Sequence, residues 1–183
     1  MNIPNIISLG RLFSVPLVIY LILNNDMFAA FWLFVAAGLS DAIDGYLAKV
    51  LGQSSVLGKY LDPIADKVLL VGVYITLGQA DYLPTWLVIL VVFRDLIIVG
   101  GIILLHISTQ VVVMRPLLVS KVNTVAQIGL IALLLAKLAF ELQFDGVLDT
   151  LIVLVGITTV VSGANYIINW GRAIDPMKDN GHV

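Results

Sequence analysis

Six apolar runs divide the chain, with few polar positions inside them and short polar segments between them. They cover about residues 4–23, 28–51, 60–78, 83–106, 116–139 and 147–172. Each run is near or above the roughly 20 residues that a helix needs to cross bilayer hydrocarbon. The segments 24–26 and 79–81, Asn-Asn-Asp and Gln-Ala-Asp, have turn-like compositions. The pattern predicts six membrane-spanning helices.

Composition places the chain in the same class. Hydrophobic residues make up 60% of it and charged residues 12%, whereas soluble domains carry roughly 25% charged residues. The chain is therefore predicted to be an all-α integral membrane protein, with one catalytic domain over 1–174 and a polar tail over 175–183. Because the first run contains Arg11 and continues to Leu23 without a small-residue cleavage site, we expect no removable signal peptide.

Charge and cysteine usage exclude several classes of function. The net charge of −2 argues against a nucleic-acid partner, and the absence of cysteine excludes disulfides, thiol catalysis and cysteine zinc sites. The distribution of basic residues predicts orientation, since cytoplasmic segments are rich in Lys and Arg. Lys137 lies towards one side, whereas seven basic residues lie at the side shared by both termini: Arg11, Lys49, Lys59, Arg115, Lys121, Arg172 and Lys178. Both termini are predicted to be cytoplasmic.

Four acids stand out in the otherwise apolar second and third runs. Asp41 and Asp44 are three residues apart, and Asp62 and Asp66 are four apart, so each pair shares one face of a helix. Carboxylates inside a membrane are costly and indicate function. Four such charges require positive partners, and carboxylate oxygens suit a hard divalent cation such as Mg²⁺ or Mn²⁺. The alternative is that the acids form ion pairs with Lys67 and Arg94.

The same stretch resembles the signature of the CDP-alcohol phosphotransferases, D-x-x-D-G-x-x-A-R-x8-G-x3-D-x3-D. Seven of its eight defined positions match, and Lys49 stands where the family usually has Arg. Lys keeps the positive charge but lacks the bidentate fork of Arg. The matching residues are Asp41, Asp44, Gly45, Ala48, Gly58, Asp62 and Asp66.

This resemblance implies transfer of a phosphatidyl group from a CDP-lipid to an alcohol, with release of CMP and with two divalent cations. It implies that Asp41, Asp44 and Asp62 are metal ligands, and that Asp66 both touches the metal site and acts as the base. It also implies that Gly45, Ala48, Lys49 and Gly58 contact the CDP moiety; for Gly58 a flexible loop end is the alternative.

Further cations are candidates for binding the acceptor substrate. Lys67, Arg94 and Lys121 lie within the runs or at their predicted cytoplasmic ends, and buried cations normally meet an anion. We expect one or more of them to bind the phosphate of the acceptor. The alternative is an internal pair, for example between Arg94 and Asp95. Asn123 and Gln127 share a face of the fifth run, where hydrogen bonds between helices are the favoured interpretation.

Stretches outside the signature, including residues 80–84, 93–95 and 120–127, resemble the CDP-lipid-using cardiolipin synthases. The phosphatidylglycerophosphate synthases usually have Glu where this chain has Asp95. The expected acceptor is therefore phosphatidylglycerol, with glycerol 3-phosphate as the alternative. The resemblance further implies a homodimer in a bacterial plasma membrane, with its site facing the cytoplasm. A divalent-metal or proton-coupled transporter is the alternative of another class.

Overall fold

A computed structural model describes the backbone of residues 3–51, 56–107, 118–143 and 145–174. It describes side chains over 9–40, 67–100, 119–143 and 146–168. Within these residues the chain forms six α-helices, as predicted. Their bounds are α1 Ile3–Leu23, α2 Met27–Leu51, α3 Val56–Gln79, α4 Thr85–Ile107, α5 Leu118–Phe140 and α6 Asp145–Ile174. The largest difference from the predicted runs lies at the start of α3, which is four residues earlier than predicted, and the other ends agree within two residues.

The connections at one end of the bundle close with the same backbone motif. Asn25, Asp81 and Glu141 have positive φ angles of 62°, 60° and 53°, and each follows the end of α1, α3 or α5. The next amide donates back to a carbonyl five residues earlier, as in Leu142 N–H to Lys137 O at 3.1 Å, which is the Schellman arrangement. Asp26 then accepts from the amide of Ala29 at 3.2 Å, capping the start of α2. The predicted turns at 24–26 and 79–81 are confirmed.

The helices pack as a ring. In order of contact the ring runs α2, α1, α3, α4, α6, α5 and back to α2, and α3 also touches α5 across the centre. The fully buried side chains that fill it are almost all apolar. They include Val18, Ile22, Leu70, Val73, Leu77, Leu87, Val91, Leu130, Ile131 and Leu135. Their burial follows from apolar positions that recur at helical spacing.

The outer surface of the described bundle carries many large apolar side chains. Large apolar side chains point outwards from all parts of the described bundle, including Phe13, Trp32, Ile89, Phe93, Leu96, Val125, Val153 and Ile157. An exposed apolar surface of this extent indicates contact with lipid. Two described segments, Val119–Phe140 and Gly146–Ile168, are long and apolar enough to cross a membrane. The described parts of three other helices, Leu9–Leu23, Met27–Ser40 and Lys67–Gln79, are shorter apolar stretches.

Aromatic side chains gather at the end of the bundle that carries the three Schellman turns. Phe28 and Phe31 of α2 each contact the ring of Phe140 edge to face, at centroid distances of 5.6 and 5.4 Å. Trp32 packs on both α2 phenylalanines and is half exposed. Aromatic rings are enriched where a membrane protein meets the headgroup region. The position of these rings indicates that this end of the bundle lies at one membrane interface.

Candidate active site

The four acids of the signature lie on two consecutive helices. Asp41 and Asp44 fall in the last three turns of α2, and Asp62 and Asp66 fall in the first half of α3. Helix α3 begins at Val56, so Gly58 lies inside a helix and not at a loop end. The side chains of all eight signature residues lie outside the described residues, and their roles remain predictions. Among the described side chains, no three His, Asp or Glu gather into a metal-binding group.

Immediately after the signature, Lys67 forms an ion pair with α4. Lys67 Nζ donates to Asp95 Oδ1 at 2.8 Å, and the side chains are 19% and 2% exposed, respectively. The ammonium group has three donors, so this contact leaves further donors for another anion. Lys67 directly follows Asp66 in α3, with Cα atoms about 3.8 Å apart. The pair therefore lies next to the predicted base.

Arg94 ties three helices together from inside the bundle. Its Nη1 donates to the same oxygen, Asp95 Oδ1, at 2.6 Å. Its Nη2 donates to Ser120 Oγ of α5 at 2.6 Å and to Ser162 Oγ of α6 at 2.9 Å. Its Nε lies 3.3 Å from Ser162 Oγ. The internal pair between Arg94 and Asp95, which the sequence left open as an alternative, is therefore formed.

One of the two oxygens of the Asp95 carboxylate accepts no hydrogen bond from the described residues. Asp95 Oδ1 accepts from both cations, whereas the buried Oδ2 has no hydrogen-bond partner among the described residues. Two cations against one carboxylate leave one net positive charge in the cluster of Lys67, Arg94 and Asp95. Buried polar atoms are normally satisfied by protein, water or ligand. Asp95 Oδ2 is thus open to a hydrogen-bond donor from outside the described residues.

Lys121, the third cation predicted to bind the acceptor phosphate, has different surroundings. Lys121 lies in the first turn of α5 and its side chain is exposed. It is one residue from Ser120, which binds Arg94. The structure therefore brings Lys67 and Arg94 together through Asp95 and places Lys121 next to a residue of the same network.

A second polar group joins α5 to α6. Asn123 Oδ1 accepts from Thr158 at 2.8 Å and from Thr159 at 3.0 Å, which confirms the interhelical hydrogen bonds predicted for Asn123. For Gln127 it is the main-chain carbonyl that bonds between helices, accepting from Tyr74 Oη of α3 at 3.2 Å. These contacts fasten the helices that hold Arg94.

Two outward-facing clefts cut into the described bundle. The first, of about 350 Å³, lies between α1, α3 and α4, and Lys67 and Asp95 are among the residues that line it. Its walls are otherwise apolar, with Val15 and Ile19 from α1 and Val99 from α4. The second, of about 340 Å³, lies between α4 and α6, and its lining residues are all apolar. The two clefts are similar in size, and the surfaces of both are almost entirely apolar.

Sequence reasoning missed Ser120 and Ser162 as partners of Arg94, and Asp95 as the partner of Lys67. One signal was available, since a guanidinium group inside a bundle must find several acceptors. Ser120 and Ser162 are among the few small polar residues within the apolar runs. The pairing of Lys67 with Asp95, 28 positions away, depends on how α3 meets α4.

Comparison with known proteins bears on both the signature and the acceptor. A family model described as CDP-alcohol phosphatidyltransferase matches residues 1–164. A CDP-diacylglycerol--glycerol-3-phosphate 3-phosphatidyltransferase 1, chloroplastic, from Oryza sativa subsp. japonica is 37% identical over 97% of this chain and 59% of its own length. A cardiolipin synthase (CMP-forming) from Rattus norvegicus is 33% identical over 93% of this chain and 62% of its own.

A Bacillus subtilis relative, a CDP-diacylglycerol--glycerol-3-phosphate 3-phosphatidyltransferase, is 34% identical over 92% of this chain and 95% of its own. The chain thus spans about three fifths of the rice and rat relatives and nearly all of the bacterial one. The relatives carry two different acceptor names, so similarity alone does not select the acceptor. With its signature on α2 and α3 and the match over residues 1–164, the chain belongs to the CDP-alcohol phosphatidyltransferase family of enzymes.

Proposed function

We propose that the protein transfers the phosphatidyl group of CDP-diacylglycerol to a free hydroxyl of phosphatidylglycerol, giving cardiolipin and CMP. In this reaction the acceptor hydroxyl oxygen forms a bond to the phosphorus that carries the diacylglycerol. The bond from that phosphorus to the oxygen of CMP breaks, and the hydroxyl proton passes to Asp66. Phosphoryl transfer depends mainly on alignment and on neutralisation of charge. The proposal therefore needs a donor site, a base and a matched acceptor site.

The donor site is assigned to the C-terminal part of α2 and the N-terminal part of α3, which carry the signature. Carboxylates are hard oxygen donors, and two divalent cations match the charge of four of them. The donor set thus fits two Mg²⁺ or Mn²⁺ ions held by Asp41, Asp44, Asp62 and Asp66. When bound, the ions would supply positive charge to the phosphates of the donor. Other residues of the signature meet the nucleotide: Gly45, Ala48 and Gly58 admit it close to the helices, and Lys49 contacts the pyrophosphate.

The acceptor assignment is carried by the charge of the cluster formed by Lys67, Arg94 and Asp95. Phosphatidylglycerol carries one negative charge on a phosphodiester, which equals the one net positive charge of this cluster. Glycerol 3-phosphate is nearly dianionic and calls for more converging cations. In the described structure the donors of Arg94 are engaged by Asp95, Ser120 and Ser162. Lys67, with Lys121 nearby on α5, is thus the better placed to meet the acceptor phosphate directly.

The proposal includes the membrane arrangement. The six helices are proposed to span a bacterial plasma membrane with both termini in the cytoplasm, so that the ends of α2 and α3 that carry the signature face the cytoplasm. There the water-soluble product CMP can leave. The expected homodimer is part of the same proposal. The family match leaves the transporter interpretation without support, because the match includes the whole signature.

Glycerol 3-phosphate is the second candidate acceptor, because the names of the rice and Bacillus relatives specify it. One assay separates the two acceptors. Purified protein is incubated with CDP-diacylglycerol, Mg²⁺ or Mn²⁺, and either phosphatidylglycerol or glycerol 3-phosphate, and the lipid products are identified by mass spectrometry. We expect more product with phosphatidylglycerol. Phosphatidylglycerophosphate as the sole product would overturn the acceptor assignment but leave the donor chemistry in place.

A further inference from the structure

Arg11 of α1 is a buried cation inside an apolar bundle. It is 2% exposed, as little as Arg94. It belongs to the buried stripe of α1 that also contains Val15, Val18 and Ile22. A charged group inside a membrane protein is stable where an opposite charge meets it. The carboxylate that compensates Arg11 must therefore lie within reach of this buried face.

The acids whose side chains are described do not supply this carboxylate. Arg11 lies more than three turns before the end of α1, about 18 Å from the Schellman turn that follows it. Asp95 Oδ1 binds Lys67 and Arg94, and Asp95 Oδ2 has no partner among the described residues, which include Arg11. The other described acids lie at or near the end of the bundle that carries the Schellman turns: Asp26, Asp81, Glu141 and Asp149.

The packing of α1 on α3 places Arg11 at the level of the signature. A Cβ atom at Gly72 of α3 would lie 3.2 Å from Ile19 and 3.5 Å from Val15, so these two side chains flank Gly72. Both helices end at the Schellman turns and run in the same direction. Arg11 lies one turn before Val15, and one turn or slightly more before Gly72 are residues 66–68 of α3. The backbone at Arg11 is therefore level with this part of α3.

The direction of the Arg11 side chain favours the acids of α3. Side chains on a helix lean towards its N-terminus, and for α1 this is the direction from Asp66 towards Asp62 on the parallel helix α3. Helix α2 also contacts α1. Asp41 of α2 is about 21 Å from the start of that helix, against about 18 Å for Arg11 from the end of α1. Asp41 is the alternative partner.

We propose that Arg11 is a positioning residue of the donor site, which pairs with the carboxylates of Asp62 and Asp66 and holds them before the divalent cations bind. The inference rests on the proposed function, because it assigns the cations to these acids. Neighbouring carboxylates repel one another. Bound cations remove most of this repulsion, so Arg11 contributes more to stability in the metal-free protein than in the metal-bound one.

The test is the melting temperature of detergent-solubilised protein in chelator and at saturating Mg²⁺ or Mn²⁺. Arg11→Gln is expected to lower it in chelator by about 6 °C or more, as when a buried ion pair loses one partner. Added cations should remove at least half of this deficit. Arg11→Lys keeps the charge but loses the bidentate fork, so its deficit should be smaller and should depend on cations in the same way.

Arg94→Gln is the matched control. Arg94 is buried to the same extent as Arg11, but it binds Asp95, Ser120 and Ser162. Its deficit should be the same with and without cations. An Arg11→Gln deficit that is equally independent of cations would overturn the proposal, because a residue that only fills space or joins helices gives that result. If Arg11→Gln does not fold even with cations, Arg11→Lys replaces it in every comparison.

A second arm identifies the partner acids and is performed in chelator alone. In an Asp62→Asn or Asp66→Asn background, Arg11→Gln should cost less than half of what it costs in wild-type protein, because contacting residues are not additive. In an Asp26→Asn background, at the other end of the bundle, it should keep its full effect. Additive losses in all backgrounds would overturn the pairing. Coupling to Asp41→Asn alone would overturn the assignment to α3.

The inference and the proposed function fail in different ways. If cations change neither the melting temperature nor CMP release of wild-type protein, the two-metal part of the proposed function is wrong. Coupling between Arg11 and the acids of α3 in chelator would still support the pairing. If wild-type protein requires cations for CMP release but Arg11→Gln behaves like Arg94→Gln, the function stands and the role of Arg11 is wrong.

Discussion

Gly78 of α3 lies directly against Val88 of α4, and a Cβ atom at position 78 would come within 2.6 Å of Val88 Cγ2. A valine side chain in a helix has one strongly preferred rotamer, so this methyl group cannot turn aside cheaply. The absence of a side chain at Gly78 therefore permits the close approach of α3 and α4. The same two helices carry Lys67 and Asp95, so their spacing matters for the ion pair.

Gly78→Ala is expected to lower the melting temperature. Overpacking costs ~1–3 kcal/mol, which exceeds or equals the gain of up to ~1 kcal/mol from the higher helix propensity of Ala. Each kcal/mol corresponds to about 2–4 °C for a chain of this size. Gly129→Ala is the control, because nothing lies within 4 Å of a Cβ at that position. Adding Val88→Ala should restore most of the loss. A Gly78→Ala protein that melts no lower than Gly129→Ala would contradict the contact.

Arg94→Ala is expected to destabilise the bundle more than the loss of any one of its partners, because it removes hydrogen bonds to two helices, while Lys67 still compensates the charge of Asp95. The guanidinium group holds α4 to α5 and α6 through Ser120 and Ser162. Ser162→Ala removes one neutral acceptor and should cost less, ~1–3 kcal/mol. Thermal melts in detergent give the comparison. The apparent KM for the acceptor should also rise more than that for CDP-diacylglycerol, and equal melting of the two variants would argue against this network.

Asp→Asn at Asp41, Asp44 or Asp62 is expected to abolish activity while the protein still inserts and folds. The amide keeps the shape of the side chain but removes the charge that a hard cation requires. A chelator should likewise abolish CMP release from wild-type protein, and added Mg²⁺ or Mn²⁺ should restore it. The assay is CMP release, with the melting temperature as the folding control. Full activity in chelator would end the two-metal proposal.

Asp66→Asn is expected to lower turnover by at least ~10²-fold, the low end for loss of a general base. Binding of CDP-diacylglycerol should persist, because the other three acids remain. Turnover is measured at saturating donor and acceptor, and donor binding by a direct titration of the detergent-solubilised protein. Near wild-type turnover would remove Asp66 from the role of base.

Lys49→Arg is expected to be tolerated, because both side chains present a positive charge to the pyrophosphate and Arg adds a bidentate fork. Lys49→Ala should raise the apparent KM for CDP-diacylglycerol more than that for the acceptor. Steady-state kinetics with each substrate varied in turn provide the measurement. Equal effects on both substrates would count against a contact with the donor alone.

The six helices, and the positions of the acids on two of them, follow from local patterns in the sequence. Long apolar runs specify membrane-length helices locally, because backbone groups in hydrocarbon must be satisfied within the helix. Residues three positions apart lie on the same face of a helix, so the spacing of Asp41 and Asp44 predicts a shared face. The structure places both residues on α2. The turns at Asn25 and Asp81 were also predicted from the local sequence, and the positive φ angles of both residues confirm them.

Only the tertiary structure decided the partners of the buried cations. Arg94 lies beside Asp95 in the chain, but Ser120 and Ser162 reach it from two other helices. Lys67 meets Asp95 across 28 positions. Apolar periodicity predicts which face of a helix is buried but not which helix that face meets, so neither the ring order nor the cluster of Lys67, Arg94 and Asp95 could be derived from it. The net charge of the cluster of Lys67, Arg94 and Asp95, on which the acceptor proposal depends, exists because the packing of α3 against α4 brings two cations to one carboxylate.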